Sequence, residues 1–277
     1  GSEVLANAGD LLVPGDVIYG PYPLLATGGD GASIPVITTQ GNYFYVGRLE
    51  VTFDAAGNVT ATAGGPVRVA NASQAGGVTP DAAIAAAVEA PVAAYSAALA
   101  AQVIGSSEVP LDGVRNNVRT RETNEGNLCA DAMLWQARRL MGDYGVSRVD
   151  VAIQNGGGIR NNAVIPAGDI TTLDTFNILP FANFLCVVED VSRSNLKEIL
   201  ENCVSRVEFA DGRFGQIAGM RFFYDPAGTP QVLNAAGDVV VPGTRIREIV
   251  LMDAPQTVIC EFGIVVPGPA VNMAIVD

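Results

Sequence analysis

Asn155-Gly156-Gly157-Gly158-Ile159-Arg160 follows directly on residues 148–154 (RVDVAIQ), which read as a strand, and this junction decides the class of the fold. Three consecutive glycines permit positive φ angles and let a ligand approach bare backbone N–H groups, while Arg160 adds a planar donor fork suited to phosphate or carboxylate. No Gly-Lys-Ser/Thr ends the loop and no G-x-G-x-x-G spacing is present, so it is neither a Walker loop nor a dinucleotide fingerprint. The same triplet also reads as a tight turn carrying a surface arginine. Alone, it leaves both readings open.

Outward from the loop, strand and helix signals alternate. Residues 124–140 predict a helix through the stripe Leu128, Ala132, Trp135 and Leu140. Thr171-x-x-Asp174 is a capping-box-like start to a short helix, which Leu179-Pro180-Phe181 closes. Residues 184–190 read as a strand, and 194–207 as a helix with Leu196, Ile199, Leu200, Cys203 and Val207 inward. Residues 216–224 and 245–252 read as further strands. The expected class is α+β: a mixed α/β sheet domain at 105–277, preceded by a β-rich fragment at 1–75 and a linker helix at 76–104.

In the front fragment, residues 43–54 alternate Leu49, Val51 and Phe53 against Arg48, Glu50 and Thr52, and Asp54 to Asn58 makes a hairpin turn. Thr79-Pro80-Asp81 starts the helix, with Thr79 able to cap. Ile84, Val88, Val92, Tyr95, Leu99 and Val103 mark one face, and Pro91 should kink it because it lacks the N–H that would bond the carbonyl of Ala87. The pattern serves an interdomain connector and a plain packed helix equally.

Composition narrows the chemistry. The 277 residues are 49% apolar, enough for one large domain or a domain plus a substantial fragment. Sixteen Lys and Arg against 29 Asp and Glu give a net charge of -13, which repels a nucleic acid polymer. A small anion remains compatible, because salt screens distant charge and one or two placed arginines dominate locally. The chain contains no histidine, so Ser-His-Asp and Cys-His catalysis and every His-containing metal site are excluded. Cys129, Cys186, Cys203 and Cys260 show no C-x-x-C spacing; they allow up to two disulfides without requiring any, and Cys129 and Cys203 read as buried thiols. Gly1-Ser2 reads as a cloning remnant, with no basic-then-apolar leader behind it. Residues 82–104 are apolar but mostly alanine, with Glu89 and Pro91 inside, which favours a soluble helix over a membrane span.

Two further features bear on ligands. In Arg119-Thr120-Arg121-Glu122, an extended backbone places both arginines on one side, facing one anion; a solvated or salt-bridged pair with Glu122 is the bland reading. Phe181 offers a stacking face, although an aromatic after a proline also suits a core.

Taken together, Arg119-x-Arg121-Glu122-x-x-x-Gly126-Asn127-Leu128, the loop from Asn155 to Arg160, Gly168-Asp169-Ile170-Thr171 and Leu179-Pro180-Phe181 resemble in order and spacing the C-terminal domain of the 5'-nucleotidase / UDP-sugar hydrolase family. Residues 36–54 resemble the end of that family's metallophosphatase domain, and the Thr79 helix its linker. The resemblance implies that Arg119 and Arg160 bind phosphate or ribose oxygens, that Asn155 contacts a base at the Gly157 loop, and that Phe181 stacks on that base. Arg121 is placed behind these contacts. It also implies a nucleotide or nucleoside as the partner, a periplasmic, secreted or cell-surface parent enzyme, and two divalent metal ions in a catalytic domain outside these residues. No catalytic residue, metal ligand or membrane segment is assigned in the chain itself.

Two departures qualify the resemblance. The family's second base-stacking aromatic lies in a Gly-Gly-Asp-Gly-aromatic motif, which the chain does not reach; Gly28-Gly29-Asp30-Gly31 looks similar but is read as a loop. The metal ligands of the catalytic domain are also missing. Three alternatives stand: a 2',3'-cyclic-nucleotide phosphodiesterase/3'-nucleotidase or UDP-sugar hydrolase of the same architecture, a non-catalytic surface or adhesion module, and a site for a non-nucleotide anion.

Overall fold

A computed structural model describes residues 3–41 and 43–277; Gly1 and Ser2, read above as a cloning remnant, and Asn42 lie outside the described residues. The chain divides into two compact units, Gly1–Ala93 and Ala94–Asp277.

The first unit is built of strand pairs. Glu3–Leu5 runs parallel to Val17–Gly20, while Leu24–Thr27 with Ser33–Val36 and Tyr45–Phe53 with Val59–Arg68 form antiparallel hairpins. A small core gathers Val4, Ala6 and Tyr45, and the Tyr45 hydroxyl donates to Asp16 at 2.8 Å and accepts from the Val13 N–H at 2.6 Å. The turn read at 54–58 is present: Asp54 N–H donates to Asn58 O at 2.9 Å, and Gly57 takes the φ of +86° that the turn requires. Gly28 to Ala32 closes the other hairpin, with Gly28 N–H on Ala32 O at 2.8 Å.

The apolar helix departs from its sequence reading in three ways. Asp81, not Thr79, caps it, accepting from the N–H groups of Ala83 and Ile84. Upstream of Pro91 the chain widens into a π-helical stretch, Ala85–Glu89, in which Ala90 N–H reaches Ala85 O; proline removes a donor and crowds the preceding turn, and a wider turn relieves both. Val103 belongs to the next strand, and Ile84, Val88, Val92 and Tyr95 are exposed. By length and composition alone, Ala82–Ala100 suffices to cross a membrane.

The second unit is the mixed α+β domain. Its first sheet orders Leu185–Val191, Val271–Val276, Val151–Asn155 and Gly215–Ala218, with the middle pair parallel and the outer pairs antiparallel. The second sheet is antiparallel: Met220–Tyr224, Ile246–Leu251, Val258–Glu261 and Ile264–Val265. Alternation sorts the first sheet's two faces. Val151, Ile153, Val271 and Met273 pack with Leu196, Leu200, Ile246, Ile249 and Ile259 in the main core. Ala152, Ala218 and Ala274 face the helix Asn124–Leu140.

Those alanines explain a correction. The helix rests on the sheet through Ala130, Met133, Leu134 and Ala137, whereas Leu128 and Trp135 of the expected stripe are exposed. Both stripes have helical spacing; small residues on sheet and helix permit close approach, so the bulkier stripe is turned out, with Arg139 5.3 Å from the Trp135 ring. The strand read at 216–224 is also two strands in different sheets, broken at Gly219, whose φ is +74° and whose Cβ would run into the Asp150 carbonyl. The Thr171 capping box and the helix Thr172–Ile178 match their sequence reading.

Candidate functional site

Strand Val151–Asn155 delivers Asn155 to the edge of the first sheet and opens into the glycine loop. None of Gly156, Gly157 and Gly158 has a positive φ. Their N–H groups are not bare either: they donate to Phe214 O at 2.7 Å, Gly212 O at 2.8 Å and Asn155 O at 2.8 Å. Of the two readings the sequence left open, the backbone anion cradle does not apply, because these donors are already engaged. Glycine is needed here for close packing: a Cβ at Gly156 would strike the Val118 carbonyl, one at Gly158 the Gln154 amide, and one at Gly157 would lie 3.0 Å from Gly212 Cα. The loop is a rigid mount, and positive charge reaches the site from side chains.

Arg119 is one such charge. The segment is not extended as the sequence reading supposed: Arg115–Val118 forms a helical turn, Arg119 caps it at φ -106° and ψ -2°, and Arg121 N–H donates to Asn117 O at 3.0 Å. The two arginines consequently diverge. Arg119 is 8% exposed and comes within 3.7 Å of the place a Gly212 Cβ would take, beside Gly157. Arg121 points away, 3.7 Å from Asp112, into a separate cleft of about 570 Å³ lined by Glu122, Asn127 and Asp131.

Buried Gln216 holds this turn. Its amide nitrogen donates to Val118 O at 3.0 Å and Arg121 O at 2.8 Å, and its oxygen accepts from Thr123 N–H at 3.3 Å. Thr123 in turn caps the long helix through Gly126 N–H at 3.0 Å.

Arg119 is held below the usual arginine range, first by desolvation, then by the like charges of Arg115 and Arg160, with Asp211 opposing. Its Nε has no hydrogen-bond partner among the described residues. A buried guanidinium crowded by two others is a configuration that an anion relieves.

Arg160 completes the group. Its N–H donates to Ile178 O at 2.9 Å and its Nη1 to Gly157 O at 3.3 Å, leaving the guanidinium 5.6 Å from the Phe181 ring centroid. Phe181 is 54% exposed and outside every core cluster among the described residues, so the core reading of this aromatic does not apply. With Asn155, Gly157, Asn183, Arg213 and Asp277 it lines an open cavity of about 450 Å³. Asn155 Nδ2 donates to Gly212 O at 3.4 Å, and its Oδ1 accepts from Gln154 at 3.1 Å.

The structure thus gathers Arg119, Asn155, Gly157, Arg160 and Phe181 about one loop and separates Arg121 from them. Sequence reading missed Arg115, one helical turn before Arg119, because it began the segment at Arg119 and read 119–122 as extended. It also missed Arg213, whose Nε is fixed by Asp211 at 3.2 Å and Nη1 by Ser205 at 3.2 Å. The arrangement offers guanidinium groups, one exposed aromatic face and one amide edge: the recognition chemistry of a small anion carrying a flat ring. Among the described residues no group of three or more Cys, Asp or Glu side chains is placed to hold a metal ion, and the chain has no histidine.

Residues 103–258 match the family described as "5'-nucleotidase, C-terminal domain". A trifunctional nucleotide phosphoesterase of Bacillus subtilis (strain 168) is 40% identical over 146 residues, 53% of this chain and 8% of that protein. The 5'-nucleotidase of Homo sapiens is 33% identical over 240 residues, 83% of this chain and 39% of its own length. Among solved structures, the 5'-nucleotidase precursor of Thermus thermophilus superimposes with a TM-score of 0.54 at 30% identity, covering 97% of this chain and 46% of that one. The chain therefore spans less than half the length of each of these relatives.

Proposed function

Because the chain belongs to the 5'-nucleotidase family through the C-terminal domain at residues 103–258, we propose that it is the substrate-recognition part of a 5'-nucleotidase-type phosphohydrolase. The observation that carries this reading is the Arg160 guanidinium against the exposed ring of Phe181, with buried Arg119 beside Gly212 and Gly157 of the same loop region. The arginines bind phosphate or ribose oxygens, Phe181 stacks on the base, and Asn155 offers a donor and an acceptor to the base edge. Arg121 stays outside this contact set.

In this reading residues 1–75 are the trailing part of a metallophosphatase domain, 76–104 a linker helix and 105–277 the recognition domain. The match to the Thermus thermophilus protein along 97% of the chain supports that layout. The two divalent metals implied by the resemblance find no fitting donor set among the described residues, so bond cleavage is assigned to a catalytic domain elsewhere in the parent protein. What these residues supply is orientation: they hold the nucleotide so that its phosphate is presented in one geometry. An extracytoplasmic parent fits a family that includes snake venom 5'-nucleotidases.

Calorimetry with AMP and adenosine, on the unchanged chain and on Arg160→Ala and Phe181→Ala, tests the site. Unchanged affinity in both variants removes the assignment. The 40% identity to a trifunctional nucleotide phosphoesterase favours one second reading, a broader nucleotide phosphoesterase, which a panel of 5'-, 3'- and 2',3'-cyclic nucleotides distinguishes.

A further inference from the structure

Glu125 lies in the first turn of the helix Asn124–Leu140 and is 0% exposed. Its Oε2 accepts from Asn161 Nδ2 at 2.9 Å. Its Oε1 and the Oδ1 of Asn161 are both buried and both lack a partner among the described residues. These two oxygens converge on one spot, because a Cβ on Gly113 would overlap each of them. Two acceptors cannot satisfy one another, and an unmet buried acceptor is costly. A single proton on Glu125 satisfies both.

The surroundings support that proton. The charged group acting on Glu125 from the neighbouring strand is Asp112, which disfavours a second carboxylate; Asp112 is itself engaged by Asn117 Nδ2 at 2.8 Å, by Val114 N–H at 3.1 Å and by Arg121 at 3.7 Å. On its own helix the titratable neighbour is the buried Cys129 thiol. Desolvation pushes Glu125 up to about 7, against the lowering effect of the hydrogen bond from Asn161 Nδ2 and with a smaller upward push from Asp112.

What the pair holds together is the arginine cluster. Asn161 directly follows Arg160, Asn162 Oδ1 accepts from Arg115 N–H at 2.9 Å, and Gly113 N–H donates to Ala163 O at 3.0 Å. We propose that Glu125 is a positioning residue that works in its protonated form, donating Oε1–H to Asn161 Oδ1 and so tying the helix to the segment that sets Arg160 and Arg115. On deprotonation the carboxylate faces Asn161 Oδ1 and Asp112, the tie opens, and the arginines lose their common geometry. The effect on ligand rests on the reading of those arginines as phosphate contacts; the protonated tie itself does not.

The test has two arms. Difference infrared spectra of the intact chain should show a protonated carboxyl band at pH 6 that fades as pH rises through 7 and is missing in Glu125→Gln. In Asn161→Ala, which leaves Glu125 in place, the band should shift because its acceptor is gone. In the second arm, AMP affinity of Glu125→Gln should equal that of the unchanged chain at pH 6 and exceed it by roughly fivefold at pH 8, the equivalent of about 1 kcal/mol. Titration of the AMP phosphate is common to both proteins and cancels in the ratio. No protonated band at pH 6, a band unmoved in Asn161→Ala, or identical pH profiles overturn the proposal. A band that behaves as expected in a chain that binds no AMP keeps the tie and removes the nucleotide reading.

Discussion

The guanidinium carbon of Arg160 stands 5.6 Å from the centroid of the Phe181 ring, and the ring's remaining surface is open. This pairing sets a cation and a stacking face side by side, so a nucleotide engaging one engages the other. Phe181→Ala should weaken AMP and adenosine alike, by about 1–3 kcal/mol, roughly 5- to 150-fold. Arg160→Ala should weaken AMP more than adenosine. Calorimetry with both ligands separates the two outcomes, and equal losses for Arg160→Ala would rule out its phosphate contact.

Arg115→Ala and Arg119→Met should each lower AMP affinity by roughly tenfold or more, since hydrogen bonds to charged groups contribute about 1.5–3 kcal/mol. Methionine keeps much of the buried stem of Arg119. AMP binding to the unchanged chain should fall with salt more steeply than in either variant. A salt dependence that survives both substitutions would place the phosphate elsewhere.

Gly156→Ala should destabilise the domain by about 3 kcal/mol or more, because the new methyl meets the Val118 carbonyl rather than a flexible side chain. Gly142→Ala is the control: nothing lies within 4 Å of its Cβ position, and the change should stay within about 1 kcal/mol. Urea denaturation of both variants decides whether the loop glycines are required by packing.

Glu125 should make stability depend on pH in a stated direction. Its carboxyl titrates near 4.5 when unfolded and at about 7 when folded. As pH rises from 4.5, the unfolded chain releases this proton first, so the contribution is full below that pH, declines towards 7 and is lost above it. The decline is on the order of 3 kcal/mol. Relative to Glu125→Gln, which does not titrate, the unchanged chain should therefore lose unfolding free energy by that amount from pH 4.5 to pH 8; a constant difference would contradict it.

Thiol chemistry should follow burial. Cys129 and Cys203 are pushed up to about 12 by desolvation, and Cys260 is fully buried, whereas Cys186 is partly exposed. A thiol reagent should label one cysteine in the native chain and four after denaturation. More than one rapid native label would mean that the helix Asn124–Leu140, the helix Arg193–Val204 or the second sheet opens readily.

Local patterns were legible wherever neighbouring residues alone decide the outcome. The Thr171–Asp174 capping box, the Asp54–Asn58 turn and the inward face of Leu196 and Leu200 all depend on contacts a few residues apart. The helix at 124–140 was legible as a helix but not in its facing. Its two stripes have the same period, and the alanines of three distant strands choose between them. Gly219 likewise marks a break only because its two flanking strands join different sheets.

The same division holds at the site. The identities of Arg119, Asn155, Arg160 and Phe181, the missing histidines and the family pattern are properties of the one-dimensional chain, and the family pattern was sufficient to indicate a 5'-nucleotidase C-terminal domain. The glycine loop needed the fold. Seen alone it allowed either free N–H groups with positive φ angles or a tight turn; in the folded chain its donors are consumed by Phe214, Gly212 and Asn155, and its glycines make room for Val118 and Gly212. The divergence of Arg119 from Arg121 and the enclosure of Glu125 with Asn161 were likewise settled only by folding. Burial and charge proximity belong to residues brought together across the sheet, and no spacing along the chain encodes those distances.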